Sequence, residues 1–138
     1  MNKQVLFAFM VLIGGSISAQ IDTAGFETFC MKQEDSSFLM KKYYMLLYKP
    51  GLNRSQSAED VKEIQKGHLA NIQTMAQQRV IRMSGPFQDS PTYSGVLIFS
   101  VKNPEIIDEW MQKDPAVSSG RLSYEVHEWW GVVGSKLF

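Results

Sequence analysis

Six segments with strand-like or helix-like patterns follow one another between Lys41 and Trp129, separated by glycine, proline or other turn-forming residues. Short apolar or alternating runs favour strands, whereas apolar residues three and four apart favour helices. The predicted strands are residues 41–49, 80–84, 93–101 and 122–129, and the predicted helices begin at Ser57 and Asn103. The order β-α-β-β-α-β predicts a ferredoxin-like α+β fold, an antiparallel sheet with two helices on one face.

The first predicted helix carries a histidine on its inward face. Ser57 and Asp60 have the spacing of a capping box, which marks the start of a helix. The apolar residues of the inward stripe are Val61, Ile64, Ile72 and Met75. His68 lies on the same stripe, so we expect its ring to point toward the sheet.

The second predicted helix has a proline signal at each end. Asn103 is a suitable N-cap, and Pro104 suits the first helical position. The helix runs to about Lys113 and ends at Asp114-Pro115, because a proline cannot continue the hydrogen-bond ladder.

The strands at 41–49 and 93–101 are apolar on both faces. The first alternates Tyr43, Met45 and Leu47 with Tyr44, Leu46 and Tyr48. An antiparallel sheet that is covered on one side only normally alternates apolar with polar residues. We therefore expect a second copy of the chain to cover the other face, giving a homodimer with two packed sheets. A bound ligand or residues 20–40 are the alternative covers.

The first nineteen residues have the layout of a secretory signal peptide. Lys3 supplies a positive charge, residues 5–13 are apolar, and small residues lead to Ala19, where cleavage is expected. The apolar run is shorter than the roughly 20 residues that a membrane span needs. We predict a secreted or periplasmic protein with no membrane contact after cleavage.

The segments that flank the predicted domain carry weaker patterns. Residues 20–40 show no sustained period and are interpreted as a leader, and residues 131–138 as a C-terminal tail. Cys30, the single cysteine, has no partner within the chain. It is a spectator thiol or a bridge between two chains.

The charge balance argues against nucleic acid as a partner. Lysine plus arginine and aspartate plus glutamate number 14 each, so the formal net charge is zero. Binding to a phosphate backbone requires a basic face that displaces counterions. With 138 residues, the chain has room for one domain.

Four short motifs occur in order on the predicted elements. They are His68-Leu69, Ser84-Gly85-Pro86-Phe87 with Asp89, Asp114-Pro115 with Gly120, and Tyr124-Glu125-Val126. Together they resemble the YCII-related (YciI-like) domains of the dimeric α/β-barrel superfamily. The resemblance covers residues 41–130.

The resemblance implies a ferredoxin-like subunit that dimerises through its sheet as a dimeric α/β barrel. It also implies a pocket for a small molecule, with His68 and Asp114 as an acid–base pair and Asp89 as a second candidate carboxylate. Most members of this family have no established substrate, and one branch is associated with dehydrochlorination of aromatic compounds.

The residues themselves leave more than one role open. An inward imidazole needs a hydrogen-bond partner, and a carboxylate partner would prepare it for general acid–base catalysis. His68 is alternatively a structural histidine bound to a backbone carbonyl. Asp114 alternatively serves only to end a helix, and Asp89 only to form a turn.

No motif for a cofactor or metal is present in the sequence. His127 has no spacing that pairs it with His68 as metal ligands, and no phosphate-binding glycine loop occurs. We therefore expect no cofactor and no metal. The leading hypothesis is a lyase- or isomerase-type acid–base catalyst that acts on a small organic molecule. The alternative is a binding or dimerisation module without catalysis.

Overall fold

The computed structural model describes residues 18–137, which form six strands and three helices. In chain order these are β1 (Gln20–Ile21), β2 (Glu27–Gln33), β3 (Ser36–Pro50), α1 (Ala58–Gln77), β4 (Ile81–Pro86), β5 (Gly95–Phe99), α2 (Glu105–Gln112), α3 (Pro115–Ser118) and β6 (Leu122–Val132). The predicted signal peptide falls almost entirely on residues outside this range. Within residues 18–137, no helix has the length and apolar character needed to span a membrane.

The long strand β3 organises the sheet, and all pairings are antiparallel. Its first half pairs with β2, its second half with β5, and β6 runs along its other edge from Met40↔Val132 to Pro50↔Leu122. β4 pairs with the outer edge of β5. The spatial order β6-β3-β5-β4, with α1 and α2 between the strands, confirms the predicted ferredoxin-like α+β fold.

One face of the sheet packs against the helices. Tyr44, Leu46 and Tyr48 of β3 point to this face and are nearly inaccessible to solvent. They form one cluster with residues of the other core elements: Met75, Ile81, Leu97, Phe99, Val101, Ile107 and Met111. The predicted capping box at the start of α1 is present, since Ser57 Oγ accepts from the amide of Asp60 and the Asp60 carboxylate accepts from the amide of Ser57.

The opposite face of the sheet, called here the helix-free face, also carries apolar residues on β3. Tyr43, Met45 and Leu47 of β3 point to it and remain partly exposed. Trp129 of β6 lies beside Tyr43 with ring centroids 5.9 Å apart and is 39% exposed. The two-faced pattern predicted for β3 is therefore present, and the cover by a second copy stays a prediction.

Residues 20–40, interpreted from the sequence as a leader, contain regular structure that the sequence pattern did not predict. They form β1, β2 and the start of β3, in a hairpin with pairings from Thr28↔Lys41 to Gln33↔Ser36. The turn uses Glu34 at a positive φ of 50° and Asp35, so it lacks the glycine or proline that signals a turn in sequence. The predicted C-terminal tail, residues 131–138, begins inside a strand, because β6 continues to Val132.

The connection from α2 to β6 contains a helix that the sequence pattern missed. Asp114-Pro115 ends α2 as predicted, but Pro115 then starts the four-residue α3, with Asp114 as its N-cap. Asn103 is not the N-cap of α2, because Pro104 occupies that position. The turn from α2 into α3 places the Asp114 side chain inside the fold.

Candidate active site

His68 is buried at the interface between α1 and the sheet, as its helical position predicts. It is 8% exposed, although histidine is a polar residue. Its ring packs edge-on against the ring of Tyr48 on β3, with centroids 5.2 Å apart and an interplanar angle of 74°. The helical period thus directs the imidazole to the end of β3.

Asp114 is the hydrogen-bond partner of this histidine. Its Oδ2 lies 2.8 Å from His68 Nδ1 and accepts from the Tyr48 hydroxyl at 3.0 Å. Its Oδ1 accepts from the amide of Ala116 at 2.9 Å, which caps α3. The side chain is fully buried. One carboxylate therefore caps a helix and joins two side chains from α1 and β3.

A glycine permits the close approach of α1 and α3 beside this pair. Gly67 precedes His68, and a Cβ atom on Gly67 would lie 2.6 Å from Cγ of Pro115. Real Cβ atoms do not approach another atom so closely. The absent side chain thus allows the backbone of α1 to lie against the first turn of α3, next to Asp114.

The network keeps Asp114 ionised. Burial opposes ionisation, but the hydrogen bond and charge of His68, the Ala116 amide and the Tyr48 hydroxyl together outweigh it, so the pKa of Asp114 is lowered. The pKa of Tyr48 is raised, first by burial and then by the charge and hydrogen bond of Asp114. Tyr48 therefore keeps its proton and acts as a donor.

The protonation of the network defines the tautomer of neutral His68. An ionised carboxylate can only accept hydrogen bonds, so Nδ1 must carry the proton that points to Asp114. Nε2 of the neutral ring is then an unprotonated acceptor. Among the described residues Nε2 has no hydrogen-bond partner, and no fully buried side-chain nitrogen or oxygen lacks one. Nε2 is therefore accessible to solvent.

A cavity of about 430 Å³ lies against this histidine. Its lining comes from α1, β3, β4, β5 with the residue before it, and the start of β6: Tyr48, Gln65, His68, Leu69, Ile72, Ser84, Gly85, Pro86, Ser94, Gly95, Val96, Leu97 and Leu122. Most of the wall is apolar, and a pocket of this size accommodates a small organic molecule. The arrangement places the imidazole of His68 at the wall of a ligand-sized cavity.

Asp89, the second candidate carboxylate, and the other histidine, His127, lie elsewhere. Asp89 is exposed in the turn between β4 and β5 and does not line the cavity. His127 lies on β6, where its Nε2 is 3.1 Å from the Glu125 carboxylate, and its side chain is 57% exposed. Within residues 18–137, no group of three or more acidic, histidine or cysteine side chains is arranged to hold a metal ion.

Tyr48 is the site residue that sequence reasoning missed. The pattern of β3 places it correctly on the core face, but an aromatic residue in a strand is normally read as packing. The available signal was its hydroxyl, because a buried tyrosine hydroxyl usually requires a hydrogen-bond partner. Here that partner is the same Asp114 oxygen that binds His68.

Comparison with known proteins gives a family match and several solved structures that resemble the chain. The family model of the YCII-related domain matches residues 42–130. A solved structure that resembles the chain is 5-chloro-2-hydroxyhydroquinone dehydrochlorinase from Burkholderia phenoliruptrix AC1100, in complex with 2,5-dihydroxybenzoquinone. The two share 18% identity with a TM-score of 0.47, over 62% of this chain and 92% of that chain. No curated protein matches the chain in sequence.

Proposed function

The chain belongs to the YCII-related domain family, and from that premise we propose that it catalyses proton transfer on a small organic molecule with its own side chains. The observation that carries the proposal is the buried pair of His68 Nδ1 and Asp114 Oδ2 at 2.8 Å, with Nε2 accessible and His68 lining a cavity of about 430 Å³. The reaction class is lyase- or isomerase-type.

His68 is the general base and then the general acid of the proposed reaction. Its Nε2 takes a proton from a carbon or oxygen of the bound molecule, whose conjugate base remains in the cavity. The same proton returns to a different atom of an isomerising substrate, or to the group that leaves in an elimination. Asp114 stabilises the imidazolium formed between these steps, since its carboxylate faces Nδ1.

Tyr48 supports the base without entering the reaction. Its hydroxyl donates to the Asp114 oxygen that faces Nδ1, which fixes the orientation of the carboxylate. Because the pKa of Tyr48 is raised by burial and by Asp114, its proton stays on the hydroxyl at neutral pH.

A test that needs no known substrate is deuterium incorporation. A panel of small carbon acids and phenols is incubated with the protein in D₂O, and the loss of carbon-bound proton signals of each compound is followed by NMR. We expect exchange with wild type and with His127→Ala, which removes the other histidine, and no exchange with His68→Ala. Equal exchange with wild type and His68→Ala contradicts the assignment of His68.

The second candidate function is a binding module that uses the same cavity without chemistry. The apolar wall and the free acceptor at Nε2 also suit a ligand that carries one hydroxyl group. In that case His68→Ala lowers the binding affinity of a ligand, and the wild-type protein incorporates no deuterium into that ligand in D₂O. Catalysis instead predicts deuterium exchange in the same ligand.

We also propose that two copies pair through the helix-free face. Its partly exposed Tyr43, Met45 and Leu47 are apolar residues of the kind that a partner buries. Met45→Glu should produce monomers in sedimentation, whereas Leu52→Glu, on a fully exposed loop residue, should not. A wild-type monomer at high concentration contradicts this proposal.

Export is the remaining proposal, and it rests on the pattern of residues 1–19. Cleavage after Ala19 would leave every strand and helix of the described residues intact, because β1 begins at Gln20. N-terminal sequencing of protein secreted by a bacterial host should then begin at Gln20. Protein that remains inside the cell with Met1 at its start contradicts export.

A further inference from the structure

The cavity beside His68 has walls of uncharged residue types, apart from the titratable imidazole, among the residues that the structure describes. Of the described residues that line it, none is lysine, arginine, aspartate or glutamate. The apolar part of the wall includes Leu69, Ile72, Leu97 and Leu122. A carboxylate or phosphate placed there would lose water without gaining a cationic partner, which is unfavourable.

The negative charge of Asp114, behind the cavity wall, also disfavours binding of a carboxylate or phosphate. Asp114 binds two of the lining side chains, Tyr48 and His68, and is ionised at neutral pH. With neutral His68 the site therefore carries a negative charge, which repels an anionic ligand. Protonation of His68 only cancels this charge and leaves no excess positive charge. A cationic ligand finds no exposed acceptor carboxylate either, since Asp114 is fully buried.

The cavity nevertheless has polar groups for a neutral ligand. Gln65, Ser84 and Ser94 line it, and their side chains make no hydrogen bond with another described residue. Hydroxyl and amide groups of this kind bind hydroxyls and carbonyls as both donors and acceptors. They are spread around a mainly apolar wall.

We infer that the site selects an uncharged, largely apolar molecule that carries hydroxyl or carbonyl groups, and that it rejects carboxylates and phosphates of the same size. This deepens the proposed function and rests on the same cavity. Proton transfer to His68 then converts a neutral acid and a neutral imidazole into an anion and an imidazolium. The total charge of the site is unchanged, and the two product charges lie side by side.

The test uses two probes of nearly equal shape, 4-hydroxyacetophenone and 4-hydroxybenzoate. At slightly acidic pH the first is neutral and the second is a carboxylate. Binding is measured by titration of each probe into wild-type protein, followed by the ring signals of His68 in NMR. We expect the neutral probe to bind with a dissociation constant lower by about tenfold or more. Equal or tighter binding of the carboxylate overturns the inference, and so does binding of neither probe.

A charge-insertion variant provides the matched control. Gln65→Lys adds a cation to the cavity lining, whereas Gln73→Lys adds the same charge to an exposed position of α1 that does not line it. Gln65→Lys should recover binding of 4-hydroxybenzoate by about tenfold, and Gln73→Lys should not. Equal effects of the two variants contradict selection by the cavity wall.

The outcomes separate this inference from the proposed catalysis. Tight binding of the neutral probe, with no deuterium exchange in any compound, supports the ligand class and contradicts catalysis. Exchange that depends on His68 but prefers carboxylates supports catalysis and overturns the ligand class.

Discussion

Replacing Asp114 with asparagine tests the central network most directly. The wild-type carboxylate accepts three hydrogen bonds, from His68 Nδ1, the Tyr48 hydroxyl and the Ala116 amide. Asparagine has one acceptor oxygen and one donor amide. If its oxygen keeps the cap on Ala116, its NH₂ group faces Nδ1, which must then give up its proton. The variant should therefore hold neutral His68 as the Nε2–H tautomer.

The expected loss of stability follows from the contacts that disappear. A hydrogen bond to a charged group contributes about 1.5–3 kcal/mol, and a neutral one about 1 kcal/mol. The variant loses the charged bond from His68 and the bond from Tyr48, and a new amide–imidazole bond offsets part of this. We expect the free energy of unfolding to fall by about 2–4 kcal/mol at neutral pH.

The pH dependence has a defined sign. The folded pKa of Asp114 lies below its ordinary value of 3.8, so ionisation stabilises the fold above that value. This contribution is lost as the pH falls through the lower, folded pKa. The stability difference between wild type and Asp114→Asn should therefore narrow below about pH 4.

Urea unfolding followed by tryptophan fluorescence measures the stability, and ¹⁵N NMR of the imidazole measures the tautomer. Asp108→Asn is the matched control, because Asp108 also accepts from a tyrosine hydroxyl, that of Tyr124 at 2.7 Å, but at an exposed site. Asp108→Asn should lower the free energy of unfolding by about 1 kcal/mol or less. Equal losses in the two variants, or an Nδ1–H tautomer in Asp114→Asn, refute the reasoning.

Three further predictions concern single contacts. Tyr48→Phe removes one donor to the buried, ionised carboxylate but leaves the acceptor of the histidine. The free energy of unfolding should fall by about 1.5–3 kcal/mol, while ¹⁵N NMR still reports the Nδ1–H tautomer. Gly51→Ala places a Cβ against the backbone oxygen of Gly120 and should lower stability by roughly 3 kcal/mol in urea unfolding. Lys49→Met removes the main cause of the pKa of about 2 at Glu125, so carboxyl ¹³C NMR should show a raised pKa.

Each of these predictions has its own control. Gly85→Ala should change stability by less than about 1 kcal/mol, since a Cβ there meets no atom within 4 Å, and a loss equal to that of Gly51→Ala contradicts the steric argument. His127→Ala should raise the pKa of Glu125 by less than Lys49→Met does, because the hydrogen bond from Lys49 is the larger cause. A tautomer change in Tyr48→Phe would contradict the role given to Tyr48.

Part of the candidate site follows from local sequence patterns. The helical period alone places His68 on the inward stripe, and the Asp114-Pro115 pair marks the end of α2, whose last residue is Gln112. The likeness to the YCII-related family suggested that the two act together. Neither pattern identified Tyr48, and the turn residue Asp89 lies outside the cavity.

The sequence by itself determined the order of the elements, the inward face of α1 and the two apolar faces of β3, because periodicity and proline act over a few neighbouring residues. Only the tertiary structure decided that β3 extends back into a hairpin over residues 20–40, since that pairing joins strands across a turn without a glycine or proline signal. Tertiary structure also decided the meeting of His68 and Asp114, which are 46 residues apart in the chain. Their contact depends on how closely α1 packs against α3, and such packing is a property of the assembled core.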